Sequence, residues 1–272
     1  MKNRPLISVI IPVEGRYPLV RLSIESVLSQ SAYSDNTEII VVEDKDTKES
    51  IKVKLQESFP MIKVFTNTND EGPGGCRNTG LNNALGEYIV FLDSDDELGR
   101  DFFKFMVSAL NDRYASAVIC LSNAHFQKSF NIKERLKLYP LRLIRDGSFL
   151  ISYIFNHGYL YASAFYLCQI SHMMIKASRI KDLRFDYTFR KGAEDWYFFS
   201  KILETGRIRI VFRRLLLFRY TSGSTTDNPV NRQYKWQAYA LLAKKLSNRY
   251  KNSLFFVLFR LYITLLGGKN AK

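Results

Sequence analysis

Tyr88-Ile89-Val90-Phe91-Leu92-Asp93-Ser94-Asp95-Asp96 is the stretch on which the reading of the fold turns. Its first five residues are apolar and rich in β-branched and aromatic side chains, as expected of a strand buried on both faces. The run then stops in three carboxylates within four positions. Carboxylates this close repel one another, and a divalent cation among them offsets that repulsion. Hard oxygen donors suit Mg²⁺ or Mn²⁺, which commonly share their coordination with substrate phosphates. The plainer reading is an acidic turn that caps the next helix, because Asp favours helix N-termini.

Working outward, the same pattern recurs upstream. Ile7-Ser8-Val9-Ile10-Ile11-Pro12 is a short strand stopped by proline, and residues 19–30 place Leu19, Leu22, Ile24, Val27 and Leu28 on one helical face. Glu38-Ile39-Ile40-Val41-Val42 forms a second strand that runs into Glu43-Asp44-Lys45-Asp46. Residues 47–59 read as a helix closed by Pro60, and Ile62-Lys63-Val64-Phe65 as a third strand. A turn at Gly72-Pro73-Gly74-Gly75 precedes a helix predicted over residues 77–85. Strands and helices alternating at this spacing predict an α/β fold with a mostly parallel central sheet flanked by helices. Ligands in such sheets bind beyond the carboxyl ends of strands, where both acidic clusters fall.

The Gly72–Gly75 turn adds a second, weaker signal. Glycines ahead of a helix let backbone N–H groups approach a phosphate, and Arg77 adds a cation there. The pattern matches neither a dinucleotide fingerprint nor a P-loop.

Downstream the chain is less explicit. Residues 100–190 are mixed and aromatic-rich, with no period that assigns elements. Residues 194–203 are predicted helical, 207–220 as two strand-like runs, and the chain from about residue 231 as helical. The net charge of +14 is concentrated at the end: residues 205–272 hold 14 Lys and Arg against one acid, Asp227, which leaves 26 basic and 25 acidic residues in the first 204. Such asymmetry points to an anionic partner, a membrane surface, a polyanionic substrate or nucleic acid, and the acidic site in the first half of the chain argues against nucleic acid. Residues 232–266 interleave Tyr234, Trp236 and Tyr239 with lysines and arginines and end in an apolar run that contains Arg260. That run is too short to span a bilayer and fits a helix at a membrane interface, the plainer alternative being a terminal helix packed on the core. Three widely spaced cysteines give neither a disulfide framework nor a CxxC metal site. With no export signal at the start, the expected location is the cytoplasm, peripheral at the inner face of the membrane if the tail docks there.

Taken in order, Ile7-Ser8-Val9-Ile10-Ile11-Pro12, Ser26-Val27-Leu28-Ser29-Gln30, Glu38 to Asp44, Cys76-Arg77-Asn78-Thr79-Gly80-Leu81, Ala84-Leu85-Gly86-Glu87-Tyr88-Ile89, Phe91 to Asp96 and Gly192-Ala193-Glu194-Asp195-Trp196 resemble the family 2 glycosyltransferases of the GT-A fold, in particular those that build bacterial surface polysaccharides. The resemblance implies one GT-A catalytic domain over residues 1–228. Residues 1–100 would be the nucleotide-sugar half and 101–228 the acceptor half, with a basic amphipathic helical extension over 229–272. It implies an inverting transfer from a nucleotide-sugar, most often a UDP-sugar, to a glycan or lipid-linked glycan, with Mn²⁺ or Mg²⁺ as cofactor. By position, Pro12, Val13 and Glu14 line the base and Asp44 bonds it. Arg77 lies near the nucleotide. Asp93 and Ser94 meet the ribose and diphosphate, Asp95 and Asp93 hold the metal, and Asp195 is the general base, supported by Glu194. Glu14-Gly15 stand where the family typically has an aromatic residue and Asn, so no base-stacking ring is expected there. The segment 219–224 lacks the His that often stands near the metal, so that either water completes the metal or Tyr220 or Thr221 contacts the diphosphate instead.

Two readings from other classes compete. A sugar-1-phosphate nucleotidyltransferase shares a related fold and acidic metal site, but would carry a longer glycine- and Arg/Lys-rich loop near residues 12–20. A non-catalytic glycan- or membrane-binding protein that kept the fold would release no UDP.

Overall fold

The computed structural model describes residues 6–14, 17–45, 47, 50–126, 170–189 and 193–220. The tail assigned to 229–272, the predicted helix after residue 231 and most of the mixed segment 127–169 lie outside the described residues, as do Gly192 and Thr221.

The parallel half of the sheet follows from the apolar runs. Strand β1 (Ile7–Val13) lies between β2 (Thr37–Glu43) and β4 (Tyr88–Phe91), and β3 (Lys63–Thr66) completes this side, all in parallel. Every residue of β1 and β4 is buried, because helices cover both faces. One layer holds α1 (Tyr17–Leu28), α2 (Lys52–Ser58) and α4 (Phe102–Leu110), whose Val20, Ile24, Leu55 and Met106 join Val9, Val41 and Val90 in one apolar cluster. The other layer holds α3 (Pro73–Asn83) and α5 (Glu194–Ile202), where Cys76 and Phe198 join Ile10, Ile40 and Phe91. A fully buried Phe such as Phe91 or Phe198 contributes roughly 1.5–3 kcal/mol over an exposed one.

Two elements differ here from the expected pattern. The Gly72-Pro73-Gly74-Gly75 stretch forms the first turn of α3 instead of a separate loop, with Pro73 at a first-turn position where its missing N–H costs nothing. A Cβ at Gly80 would stand 2.3 Å from Ile10 Cγ2, so α3 lies against β1 closely enough to require glycine there. Helix α2 begins at Lys52, five residues later than predicted: the buried carboxylate of Glu43 accepts hydrogen bonds from Ile51 N at 2.7 Å and the Ser50 hydroxyl at 2.7 Å, fixing the chain just before it.

Beyond β4 the sheet changes direction. Strand β7 (Met173–Lys176) inserts antiparallel between β4 and β6 (Ala115–Phe126). Strand β8 (Arg207–Tyr220) then runs parallel to β6, and the two-residue β5 (Glu97–Leu98) pairs antiparallel with β8 at Leu216 and Leu217. The order is β3-β2-β1-β4-β7-β6-β8-β5. The two runs expected over 207–220 are one strand, and its register with β6 shifts where Cys120 pairs with Val211 but Leu121 with Arg214. That irregularity, at Phe212-Arg213, interrupts the apolar alternation and made one strand read as two.

Candidate active site

The carboxyl ends of β1, β2 and β4 open on one side, and most of the expected site residues meet there. Pro12 and Val13 are buried at the end of β1, and Val13 C=O accepts a hydrogen bond from Asp44 N at 2.9 Å; Glu14 is exposed just beyond.

Asp44, expected to bond the nucleotide base, already holds protein groups. Its carboxylate accepts from Gly72 N at 2.7 Å, Lys45 N at 2.9 Å and Asn67 Nδ2 at 3.0 Å. The loop that follows β3 is thereby tied to β2. Asn67 Nδ2 also donates to Asp70 C=O at 2.8 Å, and the buried Thr79 hydroxyl donates to Asn67 Oδ1 at 3.0 Å. A carboxylate accepts about four hydrogen bonds, and three on Asp44 are made by described residues.

Arg77 occupies the centre. Its side chain is 5% exposed, and Nη2 donates to Asp93 Oδ1 at 2.8 Å while Nη1 donates to Glu194 Oε1 at 3.1 Å. Burial alone would lower the pKa of the guanidinium, but the charges of Asp93, Glu194 and Asp195 outweigh it and raise it. The guanidinium carbon stands 5.3 Å from the centroid of the Phe185 ring, within cation–π range. Phe185 stacks on Phe198 at 4.1 Å, and Phe91 meets both rings edge-on. Asn78 fixes the Phe185 backbone from both sides, accepting from its N–H at 2.8 Å and donating to its C=O at 3.0 Å. Neither Phe185 nor Asn78 was expected in the site, since only the fold brings residue 185 to α3. Arg77 was expected near the nucleotide; what it contacts is Asp93 and Glu194.

Glu194 and Asp195 begin α5, where acidic side chains complement the helix dipole. Ala193 ahead of them is left-handed, with φ 68° and ψ 10°, which costs a non-glycine residue roughly 1–2 kcal/mol. Such strain recurs at functional sites, and here it lies one residue before Glu194, which Arg77 holds. Asp195 Oδ1 accepts from Trp196 N at 2.7 Å, which orients the carboxylate, and the group is partly exposed. A cleft beside Glu194 is lined by Asp70, Glu71, Asn78, Phe185 and Tyr187.

In the acidic turn, Asp93, Ser94 and Asp95 are partly exposed and Asp96 is fully buried. Asp93 N donates to the buried Ser171 hydroxyl at 3.1 Å. Asp96 holds the turn from beneath: its N–H donates to Asp93 C=O, its C=O accepts from Ser23, and Oδ1 accepts from Arg219 N at 3.3 Å, while Oδ2 has no hydrogen-bond partner among the described residues. Burial, reinforced by the charges of Asp93 and Asp95, pushes the Asp96 carboxyl well above the usual carboxylate range. The role of Asp96 was not legible in a run of acids; only its burial separates it from Asp93 and Asp95.

Among the described residues no three His, Cys, Asp or Glu side chains converge to hold a metal ion. The donor chemistry nevertheless fits Mg²⁺ or Mn²⁺: Asp93 and Asp95 offer partly exposed hard oxygens, and such ions commonly take one or two carboxylates and complete their shell with substrate phosphates and water.

Comparison with known proteins gives this arrangement its class. The model of the family described as Glycosyl transferase family 2 matches residues 8–174, more than half of the sequence, and the chain belongs to that family of sugar-transferring enzymes. A Campylobacter jejuni protein named GalNAc(5)-diNAcBac-PP-undecaprenol beta-1,3-glucosyltransferase is 35% identical over 133 residues, which cover 48% of this chain and 41% of that relative. The match thus spans about two fifths of the relative's length. Among solved structures, S. aureus TarS 1-349 in complex with UDP-GlcNAc aligns with a TM-score of 0.65 at 18% identity, covering 89% of this chain and 67% of that one. The mannosyltransferase PcManGT of Pyrobaculum calidifontis, in complex with GDP-Man and Mn²⁺, aligns with a TM-score of 0.61 at 16% identity, covering 98% and 76%. These likenesses establish the GT-A fold that the family resemblance implied, with the mostly parallel sheet that the alternation of strands and helices predicted.

Proposed function

We propose that this chain transfers a glycosyl group, with inversion, from a UDP-sugar to a hydroxyl of a glycan or lipid-linked glycan. The observation that carries the reading is the Arg77 bridge, which holds the helix bearing Asp195 against the acidic turn bearing Asp93 and Asp95. A single displacement needs a base on the acceptor side and charge neutralisation on the leaving-group side, and the two lie on opposite flanks of one buried guanidinium.

In this reading Asp195 takes the proton of the acceptor hydroxyl as its oxygen bonds the anomeric carbon. The bond from that carbon to the diphosphate oxygen breaks, and its electron pair leaves with the nucleoside diphosphate. Trp196 N holds the base in orientation. Asp44 accepts the base N–H, with Pro12, Val13 and Glu14 beside it, and Asp93 and Ser94 face the ribose and diphosphate. Mn²⁺ or Mg²⁺, held by Asp95 and Asp93, would neutralise charge on the departing diphosphate. The names of the relatives support a UDP-linked donor and a polyprenol-linked or surface-glycan acceptor. A cytoplasmic catalytic domain over residues 1–228, with the basic extension of 229–272 at the inner membrane face, belongs to the same proposal.

The test is a panel of nucleotide-sugars with Mn²⁺, read by thermal stabilisation and by release of nucleoside diphosphate. UDP-sugars are expected to raise the melting temperature and to release UDP slowly into water. A panel in which no UDP-sugar binds would overturn the donor assignment, beginning with Asp44.

A further inference from the structure

Away from this cleft, α4 and the first half of β8 build a surface of different character. Before β5 pairs with it at Leu216 and Leu217, β8 is the edge of the sheet among the described residues. Along that edge Ile208 is buried, while Arg207, Arg209, Phe212, Arg213 and Arg214 are exposed. Strand alternation places Arg207, Arg209 and Val211 on one face, and Val211 packs against the same apolar cluster as Phe105 and Ala109 of α4. The cations are spread along this face over rings. Arg213 lies 4.2 Å and Lys104 5.8 Å from the centroid of Phe105, and Arg113 4.6 Å and Arg207 5.4 Å from that of Tyr114. Tyr114 and Phe212 are 51% and 45% exposed; the Tyr114 ring carries Arg113 and Arg207, and Phe212 precedes Arg213 in the strand. Asp112 stands 4.0 Å from Arg209 as a counter-charge.

From this we infer that the α4–β8 edge docks on an anionic lipid bilayer, with Lys104, Arg113, Arg207, Arg209 and Arg213 on the headgroups and the Phe212 and Tyr114 rings in the interface. Charge complementarity selects an anionic partner, and exposed rings between cations select a bilayer, since a soluble polyanion gives an exposed phenylalanine nothing apolar to enter. Arginines on an edge strand also block pairing with another sheet, but that purpose requires no exposed Phe212 beside them. The surface is separate from the Arg77 cleft, and its test needs no sugar transfer, so its failure would leave the proposed reaction standing.

Cosedimentation of the full chain with phosphatidylcholine vesicles containing none, or about a third, phosphatidylglycerol measures this directly. The triple variant Arg207→Gln/Arg209→Gln/Arg213→Gln is expected to weaken binding to anionic vesicles roughly fivefold per charge, on the order of a hundredfold in all. Phe212→Ser should weaken it further, and Arg207→Lys/Arg209→Lys/Arg213→Lys should restore it. The charge-matched Lys52→Gln/Lys54→Gln/Lys181→Gln should bind as the wild type does, and circular dichroism melting identifies any variant that fails to fold. Equal losses in both glutamine triples would overturn the proposal, as would full binding by the arginine triple. Tighter binding to soluble polyphosphate than to vesicles, unaffected by Phe212→Ser, would also overturn it and assign the face to a polyanion.

Discussion

Arg77 on α3 and Glu194 on α5 are joined at 3.1 Å across 117 positions of sequence, with the second fork of the same guanidinium on Asp93 at 2.8 Å. The pair couples the helix that carries the base to the turn that faces the diphosphate. Arg77→Met leaves Asp93 and Glu194 without their counter-charge and is expected to destabilise the fold on the order of 3–5 kcal/mol. Arg77→Lys keeps the charge but cannot bridge two carboxylates in one plane, so it should fall between the two. Urea midpoints of the three proteins decide the matter, and a loss below about 1 kcal/mol for Arg77→Met would show that the bridge does not hold these elements.

The loop of residues 67–72 can be tested through a glycine that permits its closure. A Cβ at Gly75 would stand 1.6 Å from Asp70 C=O, a backbone atom that Asn67 and, through it, Asp44 hold in place. Gly80→Ala meets Ile10 instead, in the core beneath α3. Both substitutions should cost about 1–3 kcal/mol. Only Gly75→Ala should also weaken UDP binding, measured by calorimetry, because only it displaces the loop tied to Asp44.

Much of this site was legible because buried parallel strands are written as continuous apolar runs that end abruptly, and Asp44 and Asp93 stand at two such ends. The glycine turn and the acids of residues 194 and 195 could be placed by motif. What they do to one another could not, since an ion pair spanning 117 residues leaves no periodic trace. The centre of the chain was harder for a different reason. Met173–Lys176 is four residues long, and nothing in so short a run says that it inserts antiparallel between β4 and β6. The register shift at Phe212-Arg213, followed by Arg214, hid a single strand behind two. Asp96 looked like its neighbours, and burial alone sets it apart.

Glu38 gives a pH dependence whose sign is fixed. Burial would raise its pKa, but the Lys63 ammonium at 2.5 Å, the Ser8 hydroxyl at 2.5 Å and Leu85 N at 2.6 Å hold its carboxyl below the ordinary value. A depressed native pKa stabilises the fold above the unfolded value, near 4.3 for Glu, and that stability is lost as pH falls through the native value. Wild type should therefore exceed Glu38→Gln in urea midpoint at pH 7, and the two should converge below about pH 4. A gap that widens on acidification would contradict the assignment.

Cys76 should be inert. Its side chain is 1% exposed, and burial, with the charge of Asp44, pushes the thiol up to about 12. Only the thiolate alkylates readily. Iodoacetamide at pH 8 is expected to leave the Cys76 peptide unmodified in the native chain and to modify it after unfolding, as read by mass mapping. Rapid native labelling would show that α3 opens from β1.

The most direct measurement is UDP release by wild type and Asp195→Asn from one productive UDP-sugar with Mn²⁺ and acceptor. Asn keeps an oxygen to accept from Trp196 N, so the fold and donor affinity should be retained while turnover falls about 10²–10⁴-fold. Turnover equal to wild type in a folded Asp195→Asn protein would contradict the assignment of the base, and with it the proposed chemistry of the cleft around Arg77.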